Sequence, residues 1–269
     1  MEVKLQPQDK EKISEIAEVL RNKNSFLITS HINIDGDGIG SEIALYLCLK
    51  KLNKNVEIVN QDNIPSIFKF LPYSKIIKTY SKFDKRKKFE VGIILDSGNL
   101  ERTGNVKEII KRTSFIINID HHITNSEFGN INWINPTFSS TGEMIYFLCE
   151  ELKNIDKKIA TCLYTSILYD TCGFLHHISN YTMEIVKNLI DKKINPEKIA
   201  QKIFFEKPIK SVNLFKLALE TLKFDKKKKI CFMKVPKEFF RKAKAKEEHT
   251  EGFVDFLIDL ELIPFSWLR

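Results

Sequence analysis

The chain has 269 residues, a formal net charge of +8, an apolar fraction of 43% and a charged fraction of 29%. These are the proportions of a folded globular protein, and no apolar run approaches the roughly 20 residues that span a bilayer, so no membrane partner is expected. The excess of basic residues suits a polyanionic ligand, although lysine runs such as 85–88 and 226–229 read equally well as solvated surface. The first ten residues contain no apolar h-region, which predicts a cytoplasmic protein. Cysteines 48, 149, 162, 172 and 231 are odd in number and form no C-x-x-C pair, so reduced thiols are expected rather than disulfides or a zinc knuckle.

In chain order, Ile13, Ile16, Ala17 and Leu20 recur at helical spacing within residues 8–23, and Ser25 to Thr29 then reads as a short strand. A helix is expected from Ser41 to Lys51, on Ile43, Ala44 and Leu47, and a strand from Val56 to Val59. This βαβ order predicts an α/β fold with a parallel sheet and flanking helices. Val91 to Leu95 and Phe115 to Ile119 are two further candidates for fully buried strands, and both run directly into acidic residues. In open α/β sheets ligands bind beyond the carboxyl ends of the strands, so acids and histidines distant in the chain are expected around one crevice.

Nine of the ten glycines lie between Gly36 and Gly173, and residues 174–251 contain none and read largely as lysine-rich helix. The expected organisation is a first domain over 1–200, a helical linker over 201–225 and a small α/β segment over 226–269 that opens with a strand at 229–235. Phe253, Phe256, Leu257, Leu260 and Leu262 are expected to be exposed if that segment lacks partner strands.

Four clusters carry the chemistry. They are His31-Ile-Asn-Ile-Asp35-Gly-Asp37, Asp96, Asp120-His121-His122 and Asp170, each following an apolar run. On a glycine-rich turn, Gly36 and Gly38 would let Asp35 and Asp37 aim into one cavity, with His31 beside them. An EF-hand reading fails, because Ala44 stands where the loop needs its final glutamate. Taken singly, each cluster has an ordinary explanation as turn residues, a helix cap or hydrogen-bonding histidines. Together they describe a binuclear site whose oxygen and imidazole donors suit Mn²⁺ or Mg²⁺ better than structural zinc. Two such ions about 3.5 to 4 Å apart clamp the attacking and leaving oxygens of a phosphoryl transfer, so phosphoester hydrolysis is the expected reaction.

These four clusters, in this order and strand context, resemble the motifs of the DHH phosphoesterase superfamily. The Ser139-Ser140-Thr141-Gly142-Glu143 and Thr250-Glu251-Gly252-Phe253-Val254 segments are similar to the subfamily of nanoRNases and pAp phosphatases, in which a DHH domain is joined to a DHHA1 domain. The resemblance implies one Mn²⁺ on His31, Asp35 and Asp96 and a second on Asp37, Asp96, His121 and Asp170, with Asp96 bridging. Asp120, His121 and His122 would be the catalytic group, with Asp120 and His122 orienting ligands or contacting the scissile phosphate. Arg102, Ser140 and His176 would contact substrate; His176 or its neighbour His177 stands where family members often carry an arginine.

The implied activity is two-metal hydrolysis of short oligonucleotides to mononucleotides and of pAp to AMP. The alternatives are hydrolysis of linear or cyclic dinucleotides, and a truncated, catalytically impaired nucleotide-binding member. That last reading arises because no glycine follows Gly252, so the glycine-rich substrate-binding stretch of DHHA1 domains is missing. The partial DHHA1 segment predicts weakened substrate affinity, and homodimerisation is left open.

Overall fold

The computed structural model describes residues 5–225, 230–258 and 260, and its chain divides into two units, 1–203 and 204–269. In the first unit, α1 (Pro7–Asn22) leads into β1 (Ser25–Thr29), α2 (Gly36–Lys51) and β2 (Asn55–Asn60). There follow β3 (Lys78–Thr79), β4 (Val91–Leu95), α3 (Lys107–Ile110), β5 (Phe115–Asp120) and β6 (Ile131–Ile134). Helices α4 (Thr141–Glu151), α5 (Lys157–Asp170), α6 (Thr182–Asp191) and α7 (Pro196–Ala200) complete it.

The six strands form one sheet in the order β3-β2-β1-β4-β5-β6, and every pairing is parallel, as the βαβ order predicts. All five residues of β4 are buried, the pattern of a strand covered on both faces. One face packs Leu27, Val59 and Ile94 against Ile109 and Ile110 of α3 and against Phe83 and Phe89. Strand order reverses between β1 and β4, so the crevice at their carboxyl ends is the topological switch point where open α/β sheets bind ligands.

Helix α2 begins five residues earlier than its apolar spacing suggests, at Gly36 rather than Ser41, because Asp35 caps it. The Asp35 side chain accepts the amides of Asp37 at 2.9 Å and Gly38 at 3.2 Å. Gly36 and Gly38 are therefore the first turn of a helix with ordinary backbone angles, not a permissive turn. Small size at these positions and at Gly40 serves close packing instead: a Cβ on Gly36 would lie 2.5 Å from the Tyr169 ring, one on Gly38 2.7 Å from Ser30 Oγ, and one on Gly40 2.5 Å from the Cys162 carbonyl oxygen. The backbone of α5 cannot yield there without moving Asp170. Gly40→Ala is expected to lower stability by about 2 kcal/mol despite alanine's better helix propensity, and thermal unfolding checks it.

The second unit contains α8 (Ile209–Leu219), β7 (Lys223–Asp225), β8 (Ile230–Phe232), α9 (Lys237–Ala243) and α10 (Phe253–Ile258). Strands β7 and β8 pair antiparallel, and Leu214, Ala218, Ala243 and Phe253 form a small core. Phe253 is buried, and the Phe215 ring lies 4.8 Å from Phe253 and 4.9 Å from Phe256, so these two aromatics are partnered rather than exposed. Within this unit α8, which lies in the span 201–225, packs on α9. Lys229 at the start of the expected strand and Leu262 lie outside the described residues. Among the described residues no helix is long and apolar enough to cross a membrane.

Candidate metal centre

Four loops at the carboxyl end of the sheet, or of a helix packed on it, deliver the four sequence clusters to one place. β1 leads to His31, β4 to Asp96, β5 ends at Asp120 with His121 and His122 after it, and α5 ends at Asp170. Asp96 sits in the left-handed region at φ 54°, a conformation Asp tolerates but which costs on the order of 1 kcal/mol or more. Asn33 (φ 55°), Cys172 (φ 48°), Phe174 (φ 67°) and His177 (φ 50°) in the neighbouring loops share it.

His31 Nε2 lies 3.4 Å from Asp96 Oδ2 and 3.9 Å from Asp35 Oδ2. His121 Nε2 lies 3.7 Å from Asp37 Oδ2, 3.7 Å from Asp96 Oδ1 and 3.6 Å from Asp170 Oδ2. Three triads bring one donor atom each to within 4.8 Å of one another: His31, Asp35 and Asp96; Asp37, His121 and Asp170; and Asp96, His121 and His122. All six residues expected to ligate metal are thus drawn together, with Asp96 in two of the triads.

Asp37 is wholly buried and held by two helices at once. Its carboxylate accepts the Thr141 amide at 2.8 Å and the Gly142 amide at 3.0 Å from the first turn of α4, where the helix dipole favours negative charge. Ser41 Oγ donates at 3.3 Å and Ser166 Oγ donates from α5. Thr141 Oγ1 donates to Asp96 Oδ1 at 3.3 Å. Sequence reasoning singled out the 139–143 segment but missed Thr141, Gly142 and Ser166 as supports. A threonine and a glycine directly after a serine cap were the only signal.

The electrostatics of this cluster are frustrated without a cation. Burial, reinforced by Asp96, pushes the Asp35 carboxyl up to about 6 and that of Asp170 up to about 8. Burial and the same neighbour push Asp37 well above the usual carboxylate range. Burial opposes ionisation of Asp96 too, but His31, His121 and His122 outweigh it and hold that carboxyl low. Burial would lower the His31 imidazole, yet Asp96 and Asp35 hold it up at about 9.

His121 Nε2 is buried without a hydrogen-bond partner, and three carboxylate oxygens stand around it at distances too long for hydrogen bonds. Burial lowers its imidazole, so a neutral ring with a free lone pair faces those oxygens. His31 Nδ1 donates to the Ile32 carbonyl at 2.7 Å, which turns its Nε2 the same way. An orphaned nitrogen amid mutually repelling carboxylates, with no thiolate, fits one or more divalent cations.

Asp120 is fully buried and lies behind this cluster. Its Oδ1 meets His122 Nδ1 at 2.7 Å and its Oδ2 accepts from Asn125 Nδ2 at 2.7 Å, so it orients His122, whose imidazole it raises. Of the residues expected to touch substrate, Arg102 is exposed and its backbone carbonyl accepts the Ile32 amide at 2.6 Å, tying its loop to that of His31. His176 is half-buried in the loop after Asp170. Ser140 is fully buried and its hydroxyl accepts the Glu143 amide at 3.3 Å, so it is placed as the N-cap of α4.

The profile of the DHH family, N-terminal domain, matches residues 25–167, just over half of the chain. The chain belongs to the DHH family. This DHH protein is 34% identical over 187 residues to the bifunctional oligoribonuclease and PAP phosphatase NrnA of Thermus thermophilus, which covers 68% of the chain and 54% of that relative. NrnA of Bacillus subtilis is 23% identical over 197 residues, 71% of this chain and 60% of that one. The DHH chain thus spans between half and two thirds of the length of these relatives. Among solved structures, an exopolyphosphatase-related protein from Bacteroides fragilis superposes with a TM-score of 0.88 at 26% identity, covering 94% of this chain and 78% of that one.

Proposed function

We propose that the chain is a metal-dependent phosphoesterase that hydrolyses very short oligonucleotides to mononucleotides and acts on pAp. The observation that carries this reading is the unpartnered His121 nitrogen facing Asp37, Asp96 and Asp170, beside a second triad that shares Asp96. The names of the NrnA relatives supply the substrate class. His31, Asp35 and Asp96 would hold one ion, and Asp37, Asp96, His121 and Asp170 the other, Mn²⁺ being the preferred metal and Mg²⁺ the alternative. Bound there, divalent cations supply Lewis acidity and a nucleophile at neutral pH.

The chain's own groups do the rest. Arg102, exposed beside the His31 loop, offers a planar fork for a phosphate oxygen. Asp120 and Asn125 fix His122, so its other nitrogen presents a defined hydrogen bond or proton to the departing oxygen. Thr141 and the amides of α4 keep Asp96 and Asp37 in register as the charge around them changes.

The test is turnover of a 5′-labelled RNA dinucleotide and of pAp with Mn²⁺, with EDTA as control. Metal-dependent release of mononucleotide and phosphate is expected; a folded, Mn²⁺-loaded protein that releases neither overturns the reading. Asp120→Asn is expected to lower kcat by about 10- to 100-fold while leaving bound metal unchanged, because it acts through His122 rather than on the ions.

A further inference from the structure

Helix α2 carries an acid inside the protein, Glu42, that the metal centre does not use. Its side chain is 0% exposed, five residues after Asp37 and among the buried Ile39, Ile43 and Leu45 of the same helix. A carboxyl there loses its hydration. Burial pushes it up to about 8, although the bond it accepts from Asn60 and the charge of His31 pull the other way. An apolar side chain of similar size would fill this place at lower cost.

The bonds around Glu42 lead to His31. Glu42 Oε2 accepts Asn60 Nδ2 at 2.8 Å, and Oδ1 of Asn60, the buried last residue of β2, accepts the Ser30 amide and Thr29 Oγ1, both at 3.3 Å. Ile28 and Ile58 are the last paired residues of β1 and β2, so the Asn60 side chain carries the contact two residues beyond the ladder, to the residue before His31. Glu42 fixes which way the Asn60 amide faces, because it takes the NH2 group and leaves the oxygen for the end of β1. Ser30 Oγ and Glu42 Oε1 are two of the five buried side-chain polar atoms without a hydrogen-bond partner among the described residues, so this arrangement is kept at a cost to stability.

We propose that Glu42 is a positioning residue for the ion assigned to His31, Asp35 and Asp96, acting through Asn60 on the backbone at Ser30. The inference rests on the two-ion reading of the metal centre and adds to it a residue that touches neither ion nor substrate. The other ion has separate supports. Asp37 takes its bonds from Thr141, Gly142, Ser41 and Ser166, and Asp96 takes one from Thr141, none of them through Glu42 or Asn60. Loss of the Glu42 bond therefore acts on the His31 ion and spares its neighbour.

Mn²⁺ titration, thermal unfolding and hydrogen exchange at the Ser30 amide, in Glu42→Leu and Glu42→Gln, test this. Glu42→Leu removes the acceptor and is expected to weaken one Mn²⁺ about tenfold and leave the other unchanged. In the metal-free variant the Ser30 amide should exchange about tenfold faster, with Tm equal to or above that of the wild type, since a desolvated carboxyl is gone. Glu42→Gln keeps an oxygen for Asn60 and is expected to bind and exchange within about twofold of the wild type. Unchanged Mn²⁺ binding in Glu42→Leu, equal weakening of both ions, or a Glu42→Gln variant as impaired as Glu42→Leu overturns the positioning role and leaves the metal centre standing. Should Glu42→Leu not fold, Asn60→Ser cuts the same connection and is read by the same criteria. A wild-type chain that binds fewer than two Mn²⁺ overturns the two-ion reading, and the positioning role with it.

Discussion

Asp96→Asn is expected to abolish turnover, by roughly 10³-fold or more, and to lower divalent-cation affinity severely, the largest effect of any single substitution in the chain. Asp96 belongs both to the His31–Asp35 triad and to the triad of His121 and His122, its Oδ1 lies 3.7 Å from His121 Nε2, and three imidazoles hold its carboxyl low. An amide in its place offers one weak oxygen donor and leaves His31 and His121 without their shared counter-charge. The same change should not unfold the protein, because the amide still fits the left-handed position that Asp and Asn both tolerate. Titration of Mn²⁺ into the variant, followed by circular dichroism, separates the two: loss of metal with retained structure is expected, and a variant that binds metal like the wild type refutes the bridging role.

The second large effect is on stability against pH in the metal-free protein. Asp170 ionises near 8 when folded against 3.8 as a model value, and Asp35 near 6. A raised carboxyl contributes nothing below the unfolded value, then destabilises progressively as pH rises, because the unfolded chain sheds a proton that the folded one must keep, until the folded value is passed. His31, held at about 9 against 6.5, contributes stability that is complete below pH 6.5 and lost as pH rises through 9. The signs agree. Tm in EDTA is expected to fall by about 5 °C or more between pH 6 and pH 9, and Mn²⁺ to raise Tm most at the alkaline end. A flat or rising Tm over that window without metal contradicts the frustrated cluster.

The site was legible in the sequence because each cluster is contiguous and follows an apolar run, so three strand ends and their acids could be read without knowing which helices lie between them. Strands β1, β4 and β5 match their apolar runs closely, Val91 to Leu95 residue for residue. What escaped was carried by residues with no chemical signature of their own. Gly36 and Gly38 look like turn residues in a linear reading, yet they open α2 behind the Asp35 cap, with Tyr169 packed against Gly36 and with Ser30 and Ile34 packed against Gly38. Ser140 reads as a contact residue and is spent on capping α4. Strand β6 has four residues and β3 two, too few for a period to emerge. Phe253 found its partner in Phe215, 38 positions away, which no local pattern reveals.

The most direct test of the whole account is the metal content and hydrolytic activity of the same purified chain. Dialysis against Mn²⁺ followed by elemental analysis should find two ions per chain, with release of mononucleotide from a labelled RNA dinucleotide that EDTA and Asp96→Asn both abolish. A folded chain that retains no divalent cation contradicts the account at its root.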